Sequence, residues 1–223
     1  MRIFVILVLS CVSVVAMDSS VGDVATSPEQ LGQNLAAGLC SGYQAAITDS
    51  GTMQIRRNRK TTILPILHSI IPQSNQWIEV YTIGSDRLVV EHRAGSASQY
   101  QFNGHDTTDL AAPLANSDFS LGDLGLEFFH WPSQSVIKTE SVRTQKCSVL
   151  QSTNPSTNGY SKVLTWINSD NAIIQVKAFD AKNKLLKSFY PEKVQKIDGE
   201  WHLMRMEIVN EQPDSTTRIT FQK

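Results

Sequence analysis

Polar and apolar residues alternate with a two-residue period along most of this chain, and one short, densely apolar block interrupts the alternation. Thr52–Arg57, Thr61–Ile71, Trp77–Gly84, Arg87–Arg93 and Ser98–Asn103 are rich in β-branched and aromatic residues, which suit a pleated, half-buried surface. Turn chemistry separates them: Arg57-Asn58-Arg59, Pro72-Gln73-Ser74-Asn75, Gly84-Ser85-Asp86 and Asn103-Gly104. Past the block the period resumes in Ser135–Val142, Gln145–Ser152, Tyr160–Ile167, Ile173–Asp180, Lys184–Tyr190, Val194–Glu200, Trp201–Asn210 and Ser215–Gln222. Asp180-Ala181-Lys182-Asn183 and Asp198-Gly199 read as hairpin turns, Asp-Gly being a strong signal for one. Connections this short pair successive strands antiparallel. The pattern therefore predicts a meander of roughly eleven to thirteen strands.

The interruption runs from Asp106 to Trp131. Thr108–Ala115 is long enough for one helical turn, and Ser117 or Asp118 is placed to cap a second helix over Leu121–Phe129. Gly122 and Gly125 weaken that helix, and Trp131-Pro132 ends it. Phe119, Leu121, Leu124, Leu126, Phe128 and Phe129 put six large apolar side chains into eleven positions. That density does not suit a solvated loop, so the block must cover something. A further helix starts at Ser27-Pro28-Glu29-Gln30, with serine as cap and proline in the first turn. Leu31, Leu35, Ala36 and Leu39 recur along it at helical spacing, and Gly38 to Gly42 ends it.

Strand faces say what the block covers. Val163, Thr165 and Ile167 alternate with Lys162, Leu164 and Trp166, and Met204, Met206 and Ile208 alternate with Leu203, Arg205 and Glu207. Neither face is cleanly polar, so the sheet must cover one face or hold something apolar on it. Antiparallel sheets with this many strands curl towards a barrel.

The N-terminus carries Met1-Arg2, an apolar run over Ile3–Ala16, and small residues at Val14 and Ala16 ahead of Met17. This reads as a secretory signal peptide over residues 1–16, too short for the ~20 apolar residues of a membrane span. The rival reading makes Cys11, after Val8-Leu9-Ser10, a lipidated anchor. Residues 17–27 read as a small, polar, flexible leader, and residues 28–223 as one domain. The whole chain carries a net charge of −1, and losing the signal peptide removes one arginine, Arg2. Such a balance argues against nucleic acid. Arg56-Arg57-Asn58-Arg59-Lys60 is the sole basic cluster, a solvated turn or a contact for anionic headgroups. Outside the leader only Cys40 and Cys147 remain, and in an oxidising compartment they form either one disulfide or two buried thiols.

Catalytic signatures are missing from the sequence. The five histidines, His68, His92, His105, His130 and His202, show no metal-ligand spacing, and there is no C-x-x-C, nucleophile elbow or phosphate loop. His105-Asp106 reads as a turn. His130, between Phe129 and Trp131, reads as a partly buried histidine whose charge suits a helix end. No catalytic, cofactor or metal residue is assigned. The candidates for function are the apolar residues of the interruption, Leu121, Leu124, Phe128, Phe129 and Trp131, either as permanent core or as a lid that swings to admit acyl chains.

One family resemblance spans much of the chain. Asp118-Phe119-Ser120 through Asp123-Leu124, Trp166-Ile167-Asn168, and Phe179-Asp180-Ala181-Lys182-Asn183-Lys184-Leu185-Leu186-Lys187 resemble bacterial outer-membrane lipoprotein-sorting proteins. Lys196-Ile197-Asp198-Gly199-Glu200-Trp201 and Thr217-Arg218-Ile219-Thr220-Phe221 continue the match, close over about 105–223 and looser over 29–104. The resemblance implies a half-open curved antiparallel β-barrel of about eleven strands, with short helices as a lid over an apolar cavity. It further implies a monomeric periplasmic, non-enzymatic carrier without a cofactor. Its partners are lipoprotein acyl chains, an outer-membrane receptor or an inner-membrane release complex. The same fold serves in envelope sensors of lipid or lipoprotein, and a closed structural barrel is the third reading. No family site residue is carried over.

Overall fold

The structure, a computed structural model, describes residues 26–41, 46–74, 76–93, 96–154, 159–197 and 200–222, Glu200 and Trp201 by their backbone alone. The signal peptide, Cys11, most of the leader and the Asp198-Gly199 turn lie outside the described residues. Thirteen strands form one sheet. Six lie in the N-terminal half: β1 (Ile47–Arg57), β2 (Lys60–Pro72), β3 (Gln76–Ile83), β4 (Asp86–Arg93), β5 (Gln99–Phe102) and β6 (His105–Asp106). Seven follow the interruption: β7 (Ser133–Val142), β8 (Gln145–Thr153), β9 (Lys162–Asn168), β10 (Ile173–Phe179), β11 (Leu185–Ile197), β12 (Glu200–Asn210) and β13 (Ser215–Gln222).

The order across the sheet is β6-β5-β4-β3-β2-β1-β13-β12-β11-β10-β9-β8-β7. Each half is thus an antiparallel meander, and the halves join where β1 pairs with β13, Ser50 opposite Gln222 and Arg56 opposite Thr216. β6 and β7 are the two outer edges and do not pair, so the curved sheet stays unclosed. Residues 107–132 connect one edge to the other. The connection therefore has to travel across the inner face, which is why its sequence is apolar.

Strand positions follow the alternation with two differences. Lys184–Tyr190 and Val194–Glu200 join into the single strand β11, whose register against β12 shifts around Pro191 and Lys193. Proline has no N–H for the ladder, and a bulge accommodates it. His105-Asp106, expected as a turn, extends the sheet as β6 after the Asn103-Gly104 turn.

Inward-facing residues make two clusters. Ile66, Tyr81, Ile83, Leu88, Val90, Met206, Ile208, Ile219 and Phe221 line the N-terminal side, and Leu150, Val163, Ile167, Ile173, Val176 and Ala178 line the C-terminal side. A smaller cluster, Cys147, Val149, Trp166 and Ile174, sits on the other face of β8–β10. Both faces are partly apolar, as their alternation requires. The same geometry corrects the disulfide reading. Both thiols are free: Cys40 packs against the inner cluster, while Cys147 points to the opposite face from Leu150. Burial, with Glu127 adding to it, pushes the Cys40 thiol up to about 12, so it is an inert thiol.

Helix α1 (Pro28–Leu39) starts as its sequence predicts, the Ser27 hydroxyl accepting from the Gln30 N–H at 3.1 Å. Its buried face, Ala36 and Leu39, packs on the C-terminal cluster. Gly32 permits the approach: a Cβ there would lie 2.5 Å from the Ser135 nitrogen of edge strand β7. Gly32→Ala forces α1 off β7. The expected cost is about 1–3 kcal/mol, read as a drop of several degrees in Tm by scanning calorimetry, with an unchanged far-UV spectrum.

Candidate functional site

The interruption forms a plug whose local structure follows from its sequence. Leu114–Asn116 makes a single 3-10 turn, with Ala115 and Asn116 at positive φ. Ser120 then caps α2 (Leu121–Leu124): its hydroxyl accepts from the Asp123 N–H at 3.2 Å, and the Asp123 carboxylate accepts from the Ser120 N–H at 2.8 Å. The cap is Ser120 because Ser117 and Asp118 bond elsewhere. The helix expected over Leu121–Phe129 breaks at Leu126, which adopts φ 51°, and Glu127–His130 forms a 3-10 turn. Gly125 tightens the break, since a Cβ there would lie 2.3 Å from the Tyr100 hydroxyl.

The plug's apolar side chains divide between the two halves of the sheet. Phe119, Leu121 and Leu124 enter the N-terminal cluster with Leu114. Phe128, Phe129 and Trp131 join α1 on the C-terminal cluster, the two phenylalanine rings 4.5 Å apart edge to face. All five lid candidates thus lie against the sheet, four of them buried and Trp131 half-buried. They make core contacts in this closed arrangement.

Polar contacts fasten the plug at intervals. The buried Asp118 carboxylate accepts from Thr217 at 2.7 Å and from Ser215, and pairs with Arg57 at 3.3 Å. Asp123 accepts from the Tyr160 hydroxyl and from Lys187, both at 2.9 Å. Tyr100 donates to Glu127 at 3.0 Å. Gln134 donates to the Phe128 and Trp131 carbonyls at 3.0 Å. A chain of titratable groups also joins plug to sheet: His130 to Ser98 at 3.3 Å, Ser98 to His92 at 3.0 Å, His92 to Glu79 at 3.3 Å, and Glu79 to His68 at 2.8 Å. Tyr81 donates to the same Glu79 at 2.7 Å.

Burial opposes ionisation of Glu79, but hydrogen bonds from His68 and His92 outweigh it and hold the carboxyl far below the carboxylate range. Burial raises Glu127 despite its Tyr100 bond. Burial, then the neighbouring His92, lowers His130. The expectation of a charged His130 at a helix end is therefore reversed: its site favours the neutral ring.

A cleft runs beneath the plug where the two clusters meet. It is narrow, with ≈ 20 Å³ of free interior space, and its apolar lining includes Leu126, Phe128, Val163, Val176, Ala178 and Phe189. Asp123, Tyr160 and Lys187 also line it. A wider groove of ≈ 260 Å³, lined in part by Leu110, Gly122 and Trp131, shares Phe128, Tyr160 and Lys187 with it. Small-ligand sites are largely apolar with few polar groups and span about 300–1,000 Å³, so with the plug in place both spaces are smaller than such a site. Of the lid candidates, Phe128 lines both spaces and Trp131 the groove. The strand residues of the cleft were visible as alternating apolar positions, but nothing in the sequence said which of them face one another. Among the described residues no cluster of His, Cys, Asp or Glu is placed to hold a metal, and no described helix is long and apolar enough to cross a membrane.

Two outcomes test this fastening. Asp123→Asn removes the ion pair with Lys187, at a cost of about 1–3 kcal/mol. Hydrogen exchange then speeds up in residues 117–131 while β3 and β13 stay protected. The second outcome concerns pH. His130 is lowered in the fold, so as pH falls below about 6.5 the unfolded chain takes up the proton first and stability is lost. Glu127, raised in the fold, has the opposite sign and gains stability as the pH falls towards about 4.5. In thermal unfolding followed from pH 7 to 4.5, His130→Gln flattens the loss that begins below about 6.5 and Glu127→Gln removes the gain that develops towards about 4.5.

Known proteins share this architecture. A family model described as "uncharacterized protein" matches residues 96–223, and no curated protein matches the chain. Among solved structures, a DUF1329 family protein from Desulfovibrio piger superimposes with a TM-score of 0.74 at 17% identity, over 89% of this chain and 92% of its own. A domain assigned to outer-membrane lipoprotein sorting from Vibrio parahaemolyticus gives 0.69 at 14% identity, over 87% and 91%. A LolA superfamily protein from Nitrosomonas europaea gives 0.58 at 17% identity, over 88% and 92%. At these identities the likeness is one of fold. The chain belongs to the family whose model spans 96–223, more than half its length, and its fold is that of the LolA-like, outer-membrane lipoprotein-sorting structures.

Proposed function

We propose that this protein binds lipid acyl chains, without catalysis, in the cleft between plug and sheet, and so serves lipoprotein sorting or transfer to the outer membrane. The observation that carries the reading is the cleft itself, whose lining is aliphatic and aromatic apart from Asp123, Tyr160 and Lys187. The mechanism is displacement. An entering chain takes the place of Leu126 and Phe128, the Asp123–Lys187 pair opens, and the plug swings away from the C-terminal half while Asp118 keeps it tied to β13.

The magnitudes favour such an exchange. Burying a methylene gains ~0.8 kcal/mol, so ten of them gain about 8 kcal/mol, whereas exposing one Leu or Phe costs about 1.5–3 kcal/mol. Opening the Asp123–Lys187 pair adds a cost of about 1–3 kcal/mol. One long acyl chain therefore offsets two displaced plug residues and the opened ion pair. Lys187 and Tyr160, freed from Asp123, are placed to meet the ester or headgroup end of the ligand. The reading puts the protein in the periplasm as a monomer that receives its cargo from an inner-membrane complex and yields it to an outer-membrane receptor. The sorting role in the Vibrio domain's name supports this.

Ala178→Phe fills the cleft from the sheet side with a side chain that needs no polar partner. Displacement of a fluorescent fatty acid reads the effect. The expected result is a loss of affinity of about tenfold or more, equivalent to ~1.4 kcal/mol, in a protein with a native spectrum. Equal affinity in the variant, or no uptake by the unaltered protein, contradicts the proposal.

A further inference from the structure

The outer face of the sheet carries a second apolar surface that the cleft does not explain. β2 turns Ile63, Leu67 and Ile71 outward, and they stay 62%, 45% and 48% exposed. Pairing extends the stripe sideways, with Ile71 opposite Ile78, and Val80 opposite Val89. Contiguous exposed apolar surface of this kind marks an interaction site.

Its surroundings identify the partner. β2 pairs with β3 from Ile66 onward, so the hairpin formed by β1 and β2 projects beyond β3 at its Arg56–Leu64 end. That end carries Arg56, Arg59 and Lys60, all exposed. None of the three forms an ion pair among the described residues. No aspartate or glutamate occurs between Asp49 and Glu79, a stretch in a chain whose charges otherwise nearly balance. Arg87 adds a fourth cation, opposite Thr82 and so in the same cross-strand row as Leu67. Glu91, at the far end, is neutralised by Arg93 at 2.5 Å. Exposed aliphatic side chains beside a basic hairpin end, with Glu211 and Asp214 on the adjoining β12–β13 turn, complement a surface that is anionic outside and apolar just beneath.

We propose that this face docks the protein onto an anionic lipid bilayer. Arg56, Arg59, Lys60 and Arg87 meet the headgroups, and Ile63, Leu67 and Ile71 press into the interface. The docking surface lies on the opposite side of the sheet from the cleft and stands independently of it. The plug remains free to move while the protein is bound.

The test is co-sedimentation of the chain as secreted with vesicles of phosphatidylethanolamine and phosphatidylglycerol, against phosphatidylcholine alone, at low and high salt. The expected result is about tenfold more protein on the anionic vesicles at low salt, falling as salt screens the headgroups. Ile63→Ser/Leu67→Ser/Ile71→Ser and Arg56→Gln/Arg59→Gln/Lys60→Gln should each abolish the difference, since every position is exposed and the fold survives. Ala178→Phe should bind vesicles unchanged, which separates docking from acyl-chain uptake. Equal binding to neutral vesicles, or no effect of either triple variant, overturns the proposal. So does a protein inert to vesicles that forms dimers which the serine variant dissolves, for the face is then a self-interface.

Discussion

A sheet that curves without closing has an inner face too wide for its own strands to fill, and that face cannot be left in water. In this protein the strand order supplies the solution. The edges β6 and β7 are consecutive in sequence but lie at opposite ends of the sheet, so the connection between them must cross the concavity. Everything specific to the molecule depends on that crossing. It explains why residues 107–132 carry so much apolar surface, why they break into turns instead of one helix, and why their polar side chains reach down to the sheet on both sides.

The cover is bound by two kinds of force with different consequences. Phe119, Leu121 and Leu124 are sunk in the N-terminal cluster, and Asp118 beside them is held by Ser215, Thr217 and Arg57. A buried carboxylate with three partners is costly to strip, so this end acts as an anchor. The other end rests on aromatic contacts and on the half-buried Asp123, Tyr160 and Lys187 group, over a cleft that is incompletely filled. In the proposed mechanism cover and cavity form one device, anchored at Asp118 and released at Asp123. Lipid chains are its proposed ligand, because displacing apolar side chains needs apolar surface and no chemistry.

Local signals in the sequence carried much of this. Ser27 and Pro28 marked α1 within its first turn, and the alternation separated buried Met204, Met206 and Ile208 from half-buried Leu203, Arg205 and Glu207 in β12. The apolar density of Phe119–Phe129 was by itself enough to imply a cover, since no solvated loop tolerates it. What stayed hidden depends on contacts distant in sequence. The chain from His130 through Ser98 and His92 to Glu79 and His68 draws on five separate segments, and each histidine alone looks like an ordinary strand or loop residue. Cys40 and Cys147 invited pairing by number, yet side-chain parity in β8 places them on opposite faces of the sheet. The continuity of β11 through Pro191 was hidden because a bulge interrupts the alternation that marks a strand.

The central claim is that the cleft beneath the plug exists to hold acyl chains. Native mass spectrometry of the protein purified from its own cell envelope, followed by lipid extraction, tests it directly. The account predicts a bound population heavier by an acylated lipid or lipoprotein, which organic extraction releases as free acyl species. A protein that comes from the envelope bare, and stays bare after incubation with its total lipid extract, would contradict the account and leave the plug as a permanent filling of the sheet.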